Sequence, residues 1–345
     1  MKSQHEQKLI FQAPTFDEYS RNSNLGTRLH TIVERVDAAL SPPLIKLTGG
    51  EIFIIKGFIE FIEKMSQQHP SVVVQTNAVP LNDERIARLA KLDNITLQIS
   101  LDSSNLDGNS YRGSNLGLHT KVLNRIEAVL DAGIPVEIYA VLNNRSVEHI
   151  EEFVQWCGNF NNNHPQLFFF PARGPDSEKF QVKPSQYHLI KNLPSLLPKY
   201  SHVLPPEKYL ERLISFYYKG HRSWRCHLPR LVISTFDDGV ATPCPNIWFH
   251  ESGNVMKDDW KQTLNQVNNT GFYELLLGER PRLDACKGCF TPWDTLSLYF
   301  EDEISIDELC RAPSYGMPVV RQLLIDKKNE YLHEKSNKAR TANTI

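Results

Sequence analysis

Between Ser41 and Pro171 the chain changes its hydrophobic period repeatedly, and that alternation limits the folds open to it. The runs 44–47, 72–76, 95–101, 136–142 and 167–170 are short, apolar and rich in β-branched or aromatic residues. Parallel strands covered on both faces read this way. Helical spacing fills the intervals 54–66, 82–92, 118–132 and 146–160. Asn82 ahead of Arg85-Ile86 marks a capped helix start, and Asp131-Ala132-Gly133 a helix end. Strands and helices in strict alternation predict a parallel sheet or barrel.

The pattern shifts after Arg173-Gly174-Pro175. Residues 176–222 carry several prolines and two helical patterns, 184–193 and 206–218, and read as a connector. From Cys226 onward come a hairpin signal and irregular loops. The segment after Lys327 is polar and is expected to fray.

A chain of 345 residues is enough for one large domain or two ordinary ones. Its formal net charge of -2 gives no field favouring nucleic acid or an anionic membrane. Met1-Lys2-Ser3-Gln4-His5-Glu6 lacks the apolar run of a signal peptide, and no stretch approaches the roughly 20 apolar residues of a membrane span. The expectation is a cytoplasmic, reduced protein with no nucleic-acid or membrane partner.

Four of the six cysteines, Cys226, Cys244, Cys286 and Cys289, fall in one late stretch. The last two form a CxxC pair, and Phe236-Asp237-Asp238-Gly239-Val240 signals a hairpin between the first two. Thiolates so spaced can converge on one metal centre, either structural zinc or an iron–sulfur cluster. Cys157 and Cys310 read as ordinary thiols and His227 as incidental.

In parallel α/β folds, ligand-binding groups gather at the carboxyl ends of strands. Here the first apolar run ends in Thr48-Gly49-Gly50-Glu51, the second in Asn77-Ala78, and the third in Ser100 and Asp102, with Arg112-Gly113 soon after. The paired glycines admit a ligand close to the backbone, and Glu51 can receive an ammonium group. Ser100 can bond a ribose or carboxylate, and Arg112 can grip a carboxylate with two donors. Against these stand plainer roles: Asn77 as a turn residue, Asp102 as a loop brace, Arg112 in a surface ion pair.

The ordered series LTGGE, QTNAVPL, ISLD with YRG, AGIPVEIYAVLN and FFFPARG resembles the radical S-adenosylmethionine superfamily over roughly residues 40–300. The late cysteines are similar to the twitch or SPASM-type extension of some members: 17 residues separate Cys226 from Cys244, DDGVATPC resembles its hairpin, HESGNVMKDDW the segment that follows, and CKGC closes the set. The resemblance implies an α/β fold, a partial (β/α)6 TIM-like barrel with a small C-terminal hairpin-containing Cys-rich domain. It implies that Gly49, Gly50 and Glu51 meet the methionyl amine of S-adenosylmethionine, that Ser100 and Arg112 hold its carboxylate and ribose side, and that Asn77 and Asp102 line the site. It further implies an auxiliary [4Fe–4S] cluster on Cys226, Cys244, Cys286 and Cys289, a peptide or small-molecule substrate, and an electron donor such as a flavodoxin or ferredoxin. No residue is assigned a catalytic role. The expected divisions are 1–175 (barrel), 176–222 (connector), 223–326 (auxiliary domain) and 327–345 (tail).

One departure matters. The family's CxxxCxxC, which holds the S-adenosylmethionine-cleaving cluster, belongs ahead of the GGE segment, and no cysteine precedes Cys157. Either the coding region begins downstream of the motif, or the protein is a degenerate relative that serves as a binding, scaffold or electron-transfer protein. If 9–12 is the first strand, residues 14–26 are a cysteine-free version of the cluster loop. If that strand is missing, the sheet exposes an edge. The shortness of Leu9-Ile10-Phe11 favours the missing strand.

Overall fold

The structure, a computed structural model, describes residues 10–15, 25–161, 163–174, 177–247, 252–267 and 269–342. Among these, six parallel strands run in sequence order: β1 (Ile10–Thr15), β2 (Leu44–Gly49), β3 (Ser71–Thr76), β4 (Ile95–Ser100), β5 (Val136–Leu142) and β6 (Gln166–Pro171). Helices α1 (Leu25–Leu40), α2 (Phe58–Gln68), α3 (Asp83–Leu89), α4 (Leu116–Asp131) and α5 (Ile150–Gly158) connect them. Consecutive parallel strands joined by single helices make the expected partial (β/α)6 barrel.

Local chemistry explains the boundaries. Asn82 caps α3 by accepting the Arg85 N–H at 2.9 Å. After α4, Gly133 turns the chain with φ +80°, a conformation that glycine adopts freely. α2 starts later than the sequence pattern suggests, because Glu51 first caps a short 3-10 turn, Ile52–Ile54. It buries Phe58, Ile59, Phe61, Ile62 and Met65, one stripe facing the sheet.

Three expectations need correction. The first strand is present: β1 pairs with β2 from Ile10↔Leu44 to Thr15↔Gly49, so β2 is not an exposed edge. The late hairpin continues the barrel sheet. β7 (Val232–Thr235) lies parallel to β1, and β8 (Val240–Thr242) and β9 (Gly253–Asn254) follow antiparallel, giving the order β6-β5-β4-β3-β2-β1-β7-β8-β9. Finally, the segment after Lys327 continues the helix Pro318–Ala342. Tyr331 on that helix is buried, and its hydroxyl donates to Glu301 at 3.1 Å.

The barrel interior is more polar than the apolar runs suggest. Lys46, Gln98 and Glu137 are all buried within it, from β2, β4 and β5. The Gln98 amide donates to Glu137 (2.7 Å) and to the Tyr139 hydroxyl (2.9 Å). The turn Pro313–Tyr315 gives Glu137 the Ser314 backbone N–H (2.9 Å) and its hydroxyl. Tyr209, from the helix Glu207–Lys219, packs on β6 and donates to the Phe169 carbonyl at 2.8 Å. No helix among the described residues is long and apolar enough to cross a membrane.

Candidate functional site

The carboxyl ends of β2 to β5 form one mouth. β2 ends with Gly49 and Gly50 exposed, and Glu51 turns back toward β3. Its carboxylate accepts the Phe53 N–H (3.2 Å), the Thr76 hydroxyl (2.9 Å) and the Asn77 N–H (2.7 Å). A carboxylate has about four acceptor positions, so roughly one remains for a ligand. Burial raises the Glu51 pKa, while the N–H of Asn77 and the Thr76 hydroxyl oppose the shift. The Asn77 side chain makes the expected turn, accepting the Val79 N–H at 2.9 Å, and the next residue, Ala78, holds φ +64°.

At the end of β4, Asp102 is buried. Its carboxylate accepts the Val141 N–H (3.0 Å) and the Arg112 Nε–H (2.7 Å). Burial raises the Asp102 pKa and Arg112 opposes it. This pair holds the guanidinium by one nitrogen, with the arginine side chain still 32% exposed. Arg112 thus makes an ion pair, with a buried carboxylate as its partner, and the rest of its guanidinium borders open space.

Asn77, Ser100 and Arg112 line a cavity of about 390 Å³. Asp102 and Arg112 also line a neighbouring one of about 360 Å³, walled by Phe170, Pro171 and Arg173. Tyr111 and Arg112 belong to both. Gly49, Gly50 and Glu51 line neither, but Glu51 reaches the first through Asn77. Two positioning residues carried no sequence signal. Asn109 accepts the Asp102 N–H at 3.0 Å, and its amide lies 3.2 Å from His119 Nδ1. Both sit in or just after a turn-rich loop whose pattern does not announce them.

The second centre lies at the late cysteines. All four line a single cavity of about 30 Å³ with Arg222, Asn246 and Asp294. Cys226 precedes the short helix Leu228–Leu231, Cys244 follows β8, and Cys286 and Cys289 flank the end of the turn Asp284–Lys287. Burial raises the thiol pKa of Cys226 and Cys244, and pushes Cys286 up to about 11 with Cys226 and Cys289 adding to it. Arg222 pairs with Asp294 at 2.7 Å, both buried, and Arg173 Nη1 donates to Cys289 Sγ at 3.2 Å. No three His, Cys, Asp or Glu side chains among the described residues are placed to hold a metal ion. The four sulfurs share a cavity without closing on one point. The donor set fits a thiolate-bound group: four sulfurs, with cationic Arg222 and Arg173 to offset their charge. His227, expected to be incidental, is buried with Nε2 2.6 Å from Glu301, and Cys157 is buried in α5.

Residues 27–157 match the Radical SAM superfamily. The sporulation killing factor maturation protein SkfB of Bacillus subtilis is 32% identical over 115 residues, covering 33% of this chain and 28% of that protein. The mycofactocin maturase MftC of Mycobacterium tuberculosis is 29% identical over 118 residues, covering 34% and 30%. The chain thus spans under a third of the curated relatives' length in these matches. SuiB of Streptococcus suis, solved with its precursor peptide SuiA, superposes with a TM-score of 0.58 at 14% identity, covering 92% of this chain and 76% of SuiB. At that identity the likeness shows the fold. SuiB has also been solved bound to S-adenosylmethionine.

Proposed function

We propose that this protein binds S-adenosylmethionine at the barrel mouth, carries one auxiliary [4Fe–4S] cluster on Cys226, Cys244, Cys286 and Cys289, and recognises a peptide without generating a 5′-deoxyadenosyl radical itself. The non-cleaving part rests on one observation: the position where three thiolates are needed, the connection from β1 to α1, contains no cysteine. Residues 16–24 of that connection lie outside the described residues, so the argument is from their identity alone. The residues present do not fit a cleaving cluster, and no chemical step is assigned to one.

In the mouth, Glu51 keeps an acceptor position for the methionyl ammonium. Asp102 aims Arg112 at the cavity where the methionyl carboxylate is received, and Asn77 and Ser100 contribute polar atoms to the same wall. When bound, the auxiliary cluster supplies one-electron transfer, with a flavodoxin or ferredoxin as its partner. Arg222 and Arg173 lower the cost of the negative charge gathered on four thiolates. The peptide reading is supported by the relatives, two named for maturation and one solved with a precursor peptide.

Anaerobic reconstitution, metal and sulfide analysis, S-adenosylmethionine calorimetry and chromatography for 5′-deoxyadenosine test the reading. About four irons and four sulfides per chain are expected, together with S-adenosylmethionine binding that D102A weakens and no 5′-deoxyadenosine under reduction. Zinc without sulfide overturns the cluster, and 5′-deoxyadenosine overturns the non-cleaving claim.

A further inference from the structure

Lys46 is the third residue of β2 and points into the barrel, one pleat repeat (about 7 Å) below Thr48 and the mouth. Only 5% of it is exposed, and among the described residues its amine meets aromatic faces and the field of Glu137, with no hydrogen bond or ion pair to either. Its contacts are aromatic faces, with Nζ 4.7 Å from the Trp293 ring centroid and 5.2 Å from that of Tyr139. The acid whose field it feels, Glu137, is already engaged by the Gln98 amide and by the N–H and hydroxyl of Ser314. Nearby, Gln98 Oε1 is buried without a partner.

An ammonium on a side chain this deeply set, with aromatic faces around it and no protein acceptor among the described residues, is a costly arrangement, and one that stability alone would tend to remove. Cation–π contacts compensate part of the lost hydration but accept none of the N–H hydrogen bonds. The arrangement makes sense when an anion arrives from outside. We infer that the barrel interior is a carboxylate-recognition site in which Lys46 receives an acidic side chain of the bound peptide. This rests on the reading of the barrel as a peptide-binding site and adds the residue class it selects. Trp293 also lines the thiol cavity, so the held side chain lies one indole away from the four cysteines.

The titration of Lys46 agrees with this geometry. Burial pushes its pKa down to about 8, with Glu137 opposing. A carboxylate beside the amine restores the charged form, so binding at alkaline pH takes up a proton, and affinity for an acidic probe falls as the pH rises past 8.

The test uses the full reconstituted chain and calorimetry with three probes: N-acetyl-glutamic acid α-methylamide, its glutamine isostere, and N-acetyl-alanine, whose only acid is the terminal carboxylate. The glutamate probe is expected to bind at least tenfold tighter than the glutamine probe at pH 7, with the preference shrinking at pH 9.5. In K46M the preference falls to within twofold, and the thermal midpoint rises because an unpaired charge has gone. Equal affinity of wild type for the glutamate and glutamine probes overturns the inference. So does a K46M midpoint below wild type, which would make Lys46 a structural partner of Glu137. Tighter binding of N-acetyl-alanine than of the glutamate probe overturns the side-chain source. S-adenosylmethionine is titrated alongside: its binding without a glutamate preference sinks this inference alone, while a glutamate preference without its binding sinks only the reading of the mouth.

Discussion

At the barrel mouth the carboxylates of Glu51 and Asp102 are engaged by several protein donors each, whereas at the thiol cavity four sulfurs line one small space and, among the described residues, side-chain donors reach only Cys289. Glu51 and Asp102 are satisfied by backbone N–H groups, a hydroxyl and a guanidinium drawn from β2 to β5 and the adjoining loops. Burial raises the thiol pKa values of Cys226, Cys244 and Cys286, and all four cysteines line a space of about 30 Å³. One region is preorganised by the protein; the other, on the proposed reading, is completed by the cluster it binds. The difference teaches which perturbation each will feel: the mouth responds to its own side chains, the cavity to metal supply.

Metal supply therefore gives the largest expected effect. A group that binds only the folded chain stabilises it by about 4 kcal/mol at a thousandfold excess over Kd, roughly a 6 °C rise in the unfolding midpoint of a chain this large. Calorimetric scans of the protein with and without reconstituted iron and sulfide measure it. C289A should abolish the gain and reduce bound iron sharply, while D102A should leave the gain intact. An equal gain in C289A would mean that the metal is not held by the quartet, and the contrast between the two regions would fail.

Lys46, lying between the two regions, comes next. Its folded pKa of about 8 is below the ordinary lysine value of 10.5. Between those values the unfolded chain binds the extra proton, so stability rises with pH across that window and the cost of burial is fully felt below it. The shift corresponds to on the order of 3 kcal/mol. K46M should therefore be more stable than wild type at pH 7, and the two should converge as the pH passes 10. Urea unfolding of both proteins at pH 7, 9 and 10.5 measures the difference. A constant difference across that range would show that Lys46 is not held with a lowered pKa.

The mouth was legible in the sequence because strand ends are short and ordered: GGE, Asn77, Ser100, Asp102 and Arg112 all come to the C-terminal ends of the parallel strands or the loop that follows. That the four cysteines gather at one cavity was legible from their spacing as well. The polar barrel interior was not. Lys46, Gln98 and Glu137 each sit singly in apolar runs, and one polar residue in a strand gives no sign that others meet it across the sheet. The continuity of the sheet was hidden as well. Pairing of β7 with β1 joins residues more than two hundred positions apart, and no local pattern carries that information. The first strand, Ile10–Thr15, is weakly signalled because its apolar run, Leu9-Ile10-Phe11, is short, yet it lies between β2 and β7.

Within the mouth, R112Q should cost about 2 kcal/mol at pH 7, since it leaves the Asp102 carboxylate buried with the Val141 N–H as its remaining strong donor. The Asp102 pKa is already raised by burial, and loss of the guanidinium raises it further. Below that folded pKa the carboxyl is neutral and needs no cation, so the deficit should shrink as the pH is lowered toward 4. Denaturant curves for both proteins at pH 7 and pH 4.5 measure it. An undiminished deficit at the lower pH would mean that Arg112 acts by packing, and the mouth would then be organised by shape more than by charge.

The smallest effect tests preorganisation itself. Ala78 holds φ +64°, a region that costs a residue with a Cβ roughly 1 kcal/mol. It is held there because the Asn77 N–H is bound to Glu51 and the Ala78 N–H to the Thr76 hydroxyl at 3.0 Å, which fixes the turn leaving β3. Glycine relieves the strain but makes the unfolded chain freer and gives up a buried methyl, so A78G should come within about 0.5 kcal/mol of wild type. If Glu51 is what enforces the turn, E51Q should weaken that constraint, and A78G should then be less favourable in the E51Q background. A double-mutant cycle of unfolding free energies measures the coupling. Additive effects would mean that the backbone takes this conformation without Glu51, whose hydrogen bonds would then follow the shape of the mouth instead of setting it.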